Sequence, residues 1–347
     1  MMLLFTNLSM ALVLLVGGRQ TILLTITPGD FVAFISYLGL LTWPMMALGW
    51  VTNLVQRGRA SLERVHAILA TAPDIGSAPD AHALGQARGD IAFEAAGFSY
   101  PGSPGANPAP AIDGLDLSIA AGSVLGVVGP PGSGKTTLLS LIPRLYDVTT
   151  GRVRLDGREI RRLRIEELRA AVAFMPQEPF LFSGTLRDNI TFGDPSVPEG
   201  RLEEAAAAAA LLDTVRSFPH GFDTIVGERG VKLSGGQKQR VALARCLLAD
   251  APVVILDDPI SQVDFETGAV ITRTLRRLAG RKTILIASHR LSALGFSDRI
   301  VVLDRGRVAA AGRHAELMQT SDYYARTYRL QEIEEARVVG RHIAIGQ

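Results

Sequence analysis

Gly129-Pro130-Pro131-Gly132-Ser133-Gly134-Lys135-Thr136 lies between an apolar run, Val124 to Val128 (VLGVV), and a helical run that begins at Lys135 (KTTLLSLI). The stretch matches G-x-x-x-x-G-K-[ST] and sits between strand and helix, the context in which that pattern cradles phosphate. Glycines let successive backbone N–H groups point at phosphate oxygens, and the helix that follows adds the positive end of its dipole. Lys135 is placed to reach the outer phosphates of a nucleotide, and the Thr136 hydroxyl to ligate Mg²⁺. Gly129, Pro130, Gly132, Ser133, Gly134, Lys135, Thr136 and Thr137 therefore form the expected nucleotide cradle.

Outward from this loop, strand-like runs at Val172 to Met175, Val253 to Leu256, Thr283 to Ala287 and Ile300 to Leu303 alternate with helical runs. The helical runs lie around Leu202 to Ser217, which contains six consecutive alanines at 205–210, and from Gly236 to Ala249. Such alternation predicts an α/β domain with a parallel core sheet. Val253 to Leu256 runs into Asp257, a carboxylate delivered to the strand's C-terminal edge, where it is expected to hold Mg²⁺ near the phosphates.

The N-terminal part has a different character. From Met1 to Val55 the only formal charges are Arg19 and Asp30, and they separate two apolar runs. The second, Phe31 to Val55, has 25 residues without a charge and at ~1.5 Å per residue exceeds the ~30 Å hydrocarbon thickness of a bilayer. The first reaches spanning length with Arg19 snorkelling at the headgroups, and Thr27-Pro28-Gly29-Asp30 supplies the turn of a transmembrane hairpin. Arg57, Arg59 and Arg64 follow closely, which puts that end and everything after it in the cytoplasm. Ala60 to Ala70 carries Leu62, Val65, Ile68 and Leu69 at helical spacing, so the second span is predicted to continue as a cytoplasmic helix, followed by a linker from Pro73 to Asp90.

Composition agrees with this division. The 347 residues are 47% hydrophobic and 20% charged, which excludes a disordered chain. A formal net charge of +2 is too balanced for nucleic-acid binding through bulk electrostatics, and the single Cys246 excludes an internal disulfide. The expected regions are a transmembrane hairpin at 1–56, a helix extension and linker at 57–89, a nucleotide-binding domain at 90–330 and a C-terminal tail at 331–347.

One further segment classifies the chain. Leu233-Ser234-Gly235-Gly236-Gln237-Lys238-Gln239-Arg240 offers a hydroxyl, exposed N–H groups and a helix dipole, a second phosphate-binding surface. With LSGGQ complete, the chain resembles the ATP-binding cassette (ABC) ATPases. The resemblance implies further roles: Tyr100 in Phe98-Ser99-Tyr100-Pro101 stacks on adenine, Gln177 in Met175-Pro176-Gln177-Glu178 is the Q-loop residue and a Mg²⁺ ligand, Ser261 to Asp264 is the D-loop, and His289 is the switch histidine. It implies ATP and Mg²⁺ as cofactors, Thr136, Gln177 and Asp257 as metal ligands, and Ser234, Gly235, Gly236 and Gln237 as nucleotide contacts. Gln177, Asp258 and His289 are the implied catalytic residues.

Thr224-Ile225-Val226-Gly227-Glu228-Arg229-Gly230 resembles a segment of exporter-type cassettes in which the Glu contacts membrane-domain loops, and Gly17 to Phe31 resembles the link between the last two of six exporter helices. The expected protein is thus a type I ABC exporter half-subunit, N-terminally truncated, in a bacterial inner or plasma membrane with its ATPase domain in the cytoplasm. It would export a drug, lipid or peptide together with a second half-transporter. Where a competent cassette of this family has glutamate after the Mg²⁺ aspartate, this chain has Asp258. The carboxylate is one methylene shorter, about 1.5 Å of reach, and hydrolysis that depends on near-attack geometry slows steeply with such a displacement. Since family members pair head to tail, an impaired Asp258 position with an intact LSGGQ is the pattern of one half of an asymmetric pair. The runs at 257–264 (DDPISQVD) and 288–294 (SHRLSAL) resemble those of Mdl-type half-transporters that work as heterodimers, with a homodimer as the variant. The competing class is a soluble or regulatory ABC ATPase without transport, which the hairpin opposes.

Overall fold

Residues 2–101, 109–227 and 233–345 are described by the computed structural model, and the chain divides into two compact units, Met1–Asp74 and Ile75–Gln347. The first consists of α1 (Met2–Ile22) and α2 (Pro28–Leu69). Thr27 to Asp30 is not the turn itself but the start of α2. The Thr27 hydroxyl accepts from the Asp30 N–H at 3.2 Å, the Asp30 carboxylate accepts from the Thr27 N–H at 3.2 Å, and Pro28 takes the first helical position, where no N–H is needed. The reversal occurs one step earlier, through 23–26, with Leu24 at φ 58. A Cβ on Gly17 would fall 2.7 Å from the Phe31 ring, so a glycine there allows the two helices their close approach.

At 42 residues α2 is about 63 Å long and absorbs both the second apolar run and the amphipathic stretch after it. Among the described residues it is the one helix long and apolar enough to cross a membrane by length and composition. None of its residues is buried within the protein.

The second unit is built on two sheets. β1 (Ile91–Phe98), β2 (Ile112–Ile119), β4 (Thr150–Leu155) and β5 (Arg158–Glu159) form an antiparallel sheet in the order β2-β1-β4-β5. The core sheet has the order β12-β11-β3-β10-β9-β6, from β3 (Val124–Val128), β6 (Val172–Met175), β9 (Val253–Asp257), β10 (Thr283–Ala287), β11 (Arg299–Asp304) and β12 (Arg307–Gly312). All of its pairings are parallel except that of β12, on the edge. β7 (Gly184–Thr185) and β8 (Ile225–Val226) make a small pair.

Around these sheets lie α3 (Lys135–Leu141), α4 (Ile165–Ala170), α5 (Leu186–Thr191), α6 (Glu199–Ala208), α7 (Leu212–Ser217), α8 (Gly235–Leu248), α9 (Phe265–Leu278), α10 (His314–Thr320) and α11 (Asp322–Ile345). Every residue of β3, β9 and β10 is buried, which is why these strands read as continuous apolar runs instead of alternating ones. Leu125, Val127, Ile255 and Leu285 face one core with α3 and the antiparallel sheet, while Val124, Val254, Ile284 and Ile286 face a second core with Val241 and Leu243 of α8.

Two expectations are corrected in detail. The six-alanine run does not continue one helix to Ser217: α6 ends at Ala208, Ala210 takes φ 54, and its carbonyl accepts a 2.5 Å bond from Arg240. Helix propensity is outweighed there by a long-range capture of the helix end. The stretch expected as a linker belongs to the second unit from Ile75 onward. His82 exchanges backbone bonds with Arg162 and Arg164, and the Asp156 carboxylate accepts from the N–H groups of Arg88, Gly89 and Asp90. Glu228, Arg229 and Gly230 of the exporter-type segment lie outside the described residues.

Register then fixes the site. Ala287 pairs with Val127 on one side and with Asp257 on the other. The loops that leave β3, β9 and β10 therefore start side by side at one edge of the sheet, where parallel sheets bind their ligands.

Candidate nucleotide site

Around that edge lies a pocket lined by Tyr100, Pro131, Gly132, Ser133, Gly134, Lys135, Thr136, Thr137, Gln177, Asp257, Asp258, Ser288 and His289, with Ala111 and Ala287. The structure thus brings together eleven of the sequence-predicted site residues from five separate segments, or all except Gly129, Pro130 and the signature group. Gly129 and Pro130 lie behind it, their carbonyl oxygens accepting from Lys135 Nζ at 2.9 and 3.1 Å.

The loop needs its glycines for space as well as conformation. A Cβ on Gly129, at φ 155, would fall 2.3 Å from the Leu303 carbonyl oxygen, and one on Gly134, at φ 101, would fall 2.5 Å from that of Ala111. Pro130 and Pro131 have no N–H, so the cradle's donors must come from Gly132 onward.

Lys135 is 8% exposed, and burial lowers its pKa against the opposing pull of Asp257 and Asp258. Asp257 is 3% exposed, and burial raises its carboxyl above the ordinary range. The charge of Asp258 pushes the same way, while a Thr136 hydrogen bond, Lys135 and His289 oppose. Asp257 Oδ2 and Ser133 Oγ are buried without a partner. An orphaned carboxylate oxygen beside a threonine hydroxyl is a hard oxygen donor set, and it fits Mg²⁺, which takes few protein ligands and completes its shell with phosphate oxygens and water. Gln177, exposed at the pocket wall, adds an amide oxygen within the same cavity.

Asp258 is 4% exposed and held at φ 55, a left-handed conformation that Asp tolerates better than most side chains. Its N–H donates to the Ala287 carbonyl at 2.8 Å, and its Oδ1 accepts from Ser288 Oγ and the His289 N–H, both at 3.4 Å. Tyr100 packs edge-on to Phe98 and Tyr146, with ring centroids 4.9 and 5.3 Å away. Its hydroxyl lies 2.9 Å from Thr137 Oγ1.

Ser234, Gly235, Gly236 and Gln237 do not line this pocket; they form the start of α8, with Ser234 and Gly235 exposed and Gly236 and Gln237 half-buried. Ser234 caps the helix, accepting from the Gln237 N–H at 3.3 Å while the Gln237 side chain accepts from the Ser234 N–H at 2.9 Å. Sequence reading gave no role to Ser288, Tyr146 or Gln239. Gln239 is buried under the signature turn, donating to Ser261 Oγ at 2.7 Å and to the Asp258 carbonyl at 3.4 Å and accepting from the Gln262 N–H at 3.1 Å. Its one signal was a polar residue on the face of α8 that otherwise carries Ala242, Leu243 and Cys246 into the core.

Residues 112–261 match the family model described as ABC transporter. The multidrug resistance-like ATP-binding protein MdlA of Escherichia coli is 40% identical over 96% of this chain and 56% of its own length. An ATP-dependent lipid A-core flippase of Desulfotalea psychrophila is 38% identical over 91% of this chain and 54% of its own. A solved bacterial Atm1-family ABC exporter with ATP bound superposes with a TM-score of 0.73 at 36% identity, covering 88% of this chain and 53% of the other. The chain spans just over half the length of the curated relatives it matches. With the family model lying across the phosphate loop and the Asp257 strand, residues 112–261 are an ABC transporter domain, and a long apolar helix precedes it in the chain.

Proposed function

We propose that this chain is the ATP-binding part of an exporter half-subunit, that it hydrolyses ATP together with a second half-transporter, and that its own ATP site is the slower of the pair. Support comes from a separation in space: the pocket with Lys135, Thr136, Asp257, Asp258 and His289 contains no residue of Ser234 to Gln237, although both surfaces suit phosphate. A site with one wall is completed by another molecule's signature, and this chain's signature is free to complete the other's. The relatives' names, a multidrug resistance-like protein and lipid A-core flippases, favour an amphiphilic solute crossing the membrane beside α2.

The chemistry assigned to each residue follows from position. Lys135 leaves its carbonyl partners to bind the outer phosphates, where a buried ammonium is worth most. Thr136, Asp257 and Gln177 would hold Mg²⁺, which when bound neutralises charge on the phosphate oxygens. Tyr100 turns from Thr137 to stack on the base. Asp258, with Oδ1 held by Ser288 and the His289 N–H, presents Oδ2 to an attacking water. Its side chain ends about 1.5 Å short of a glutamate's, enough to slow in-line attack. The His289 ring, at the pocket wall, orients the terminal phosphate.

Purification from native membranes tests this reading. The chain is expected to come out in detergent extracts with a second ABC subunit, and ATPase activity of the complex should exceed that of the chain alone by at least an order of magnitude. Full activity of the lone chain in aqueous extract would sink it.

A further inference from the structure

Gln331, in α11, grips the loop that carries His289 at two points. Its Nε2 donates to the His289 carbonyl oxygen at 2.5 Å, and its Oε1 accepts from the Leu291 N–H at 2.9 Å. One planar amide thereby serves both a donor and an acceptor of the same short backbone segment. These groups have no regular element to satisfy them, because β10 ends at Ala287 and a 3₁₀ turn begins only at Leu291, whose own N–H has no acceptor inside the turn. On its other side the segment meets the carboxylate: the His289 N–H and Ser288 Oγ reach Asp258 Oδ1 at 3.4 Å, and Ser288 Oγ accepts from the Arg290 N–H at 3.0 Å.

We infer that Gln331 is a positioning residue for His289 and Asp258, and that α11 belongs to the hydrolytic apparatus of this chain's own ATP site. The inference rests on the reading of His289 as a residue acting on bound ATP. Gln331 does not itself line the nucleotide pocket; it acts by fixing the backbone from which the His289 ring and the N–H toward Asp258 both project. The side chain has to be an amide. Leucine at this position would fill similar space with neither bond, while glutamate would keep an acceptor for the Leu291 N–H and lose the donor to the His289 carbonyl.

The test uses the full chain purified from its membrane with the subunits that accompany it. Backbone amide exchange is measured over residues 288–291, and single-turnover hydrolysis is resolved by subunit with photoreactive radiolabelled ATP. Gln331→Leu is expected to speed exchange at Leu291 roughly tenfold and to slow hydrolysis on this chain about tenfold, with ATP labelling before turnover unchanged. Gln331→Glu should fall between wild type and Gln331→Leu. His289→Ala serves as the reference and should slow hydrolysis at least as far. A His289→Ala variant at full rate would overturn the reading of His289 and the inference with it. A slow His289→Ala beside a Gln331→Leu with wild-type exchange and rate would overturn the inference alone, as would a Gln331→Leu loss accounted for by weaker ATP labelling.

Discussion

Gly236 packs so closely on Gln262 that a Cβ at Gly236 would stand 2.4 Å from the Gln262 carbonyl oxygen. The first turn of α8 is in this way keyed to the loop that follows Asp258. Gln239 strengthens the connection from beneath, bonded to Asp258, Ser261 and Gln262 at once. The signature surface and the carboxylate of the same chain are therefore parts of one packed unit, although they face different ATP molecules in the proposed pair.

Gly236→Ala should cost more than Gly235→Ala. A Cβ at Gly235 meets the Gln262 side-chain Oε1, at 1.9 Å, and a flexible amide can swing away. At Gly236 the obstacle is backbone, so the loop itself must move, an overpacking that costs about 1–3 kcal/mol. Thermal melts and ATPase rates of the two variants check this. Equal losses would mean that the Gln262 backbone yields as readily as its side chain.

Much of this was legible from residues 129–136 outward, because a glycine loop between a buried strand and a helix leaves the chain few alternatives. Val253 to Leu256 was equally plain: a strand buried on both faces has no polar positions to confuse its reading. What stayed hidden depends on distant partners. The break after Ala208 is set by Arg240, thirty residues on, and the docking of residues 82–90 by Arg162 and Asp156, so no local pattern announces either. Gln239 and Gln331 are ordinary helix formers in sequence, and only tertiary packing turns their amides toward the loops that follow β9 and β10.

Lys135→Ala should weaken ATP binding at this chain's own pocket by about a hundredfold, as expected for removal of a charge-assisted contact of roughly 3 kcal/mol. Photoreactive ATP titrated against the complex, with labelling read on each subunit, measures it. The partner's labelling should hold. Undiminished labelling of this chain would remove the phosphate role from Lys135.

Cys246 is buried in α8, and burial pushes its thiol from 9.0 up to about 12. At pH 8 roughly one thiol in ten thousand is ionised, so iodoacetamide should leave the native chain unlabelled and label it fully in guanidinium. The raised value means that the folded state holds this proton more tightly than the unfolded chain does. The associated stability is complete below pH 9 and is lost as pH rises toward about 12, and Cys246→Ala should flatten that part of the alkaline unfolding curve. Rapid native labelling at pH 8 would contradict the burial.

In the assembled pair, Ser234→Arg should reduce turnover more than Asp258→Asn. Ser234 caps α8 and is exposed on the surface proposed to face the partner's ATP. Loss of the cap costs about 1 kcal/mol, which Ser234→Ala measures separately, and the added bulk of arginine then blocks the phosphate contact of the faster site. Asp258→Asn keeps the shape of the side chain and its tolerance of φ 55, so it removes only the charge from the site proposed to be the slower one. Asp258→Glu supplies the converse. It regains about 1.5 Å of reach and should raise hydrolysis on this chain, but glutamate in a left-handed conformation should also lower stability by about 1 kcal/mol. Faster turnover with a slightly lower melting temperature is the expected signature. If Asp258→Asn abolishes activity while Ser234→Arg is tolerated, the carboxylate at 258 drives the faster site and the asymmetry runs the other way.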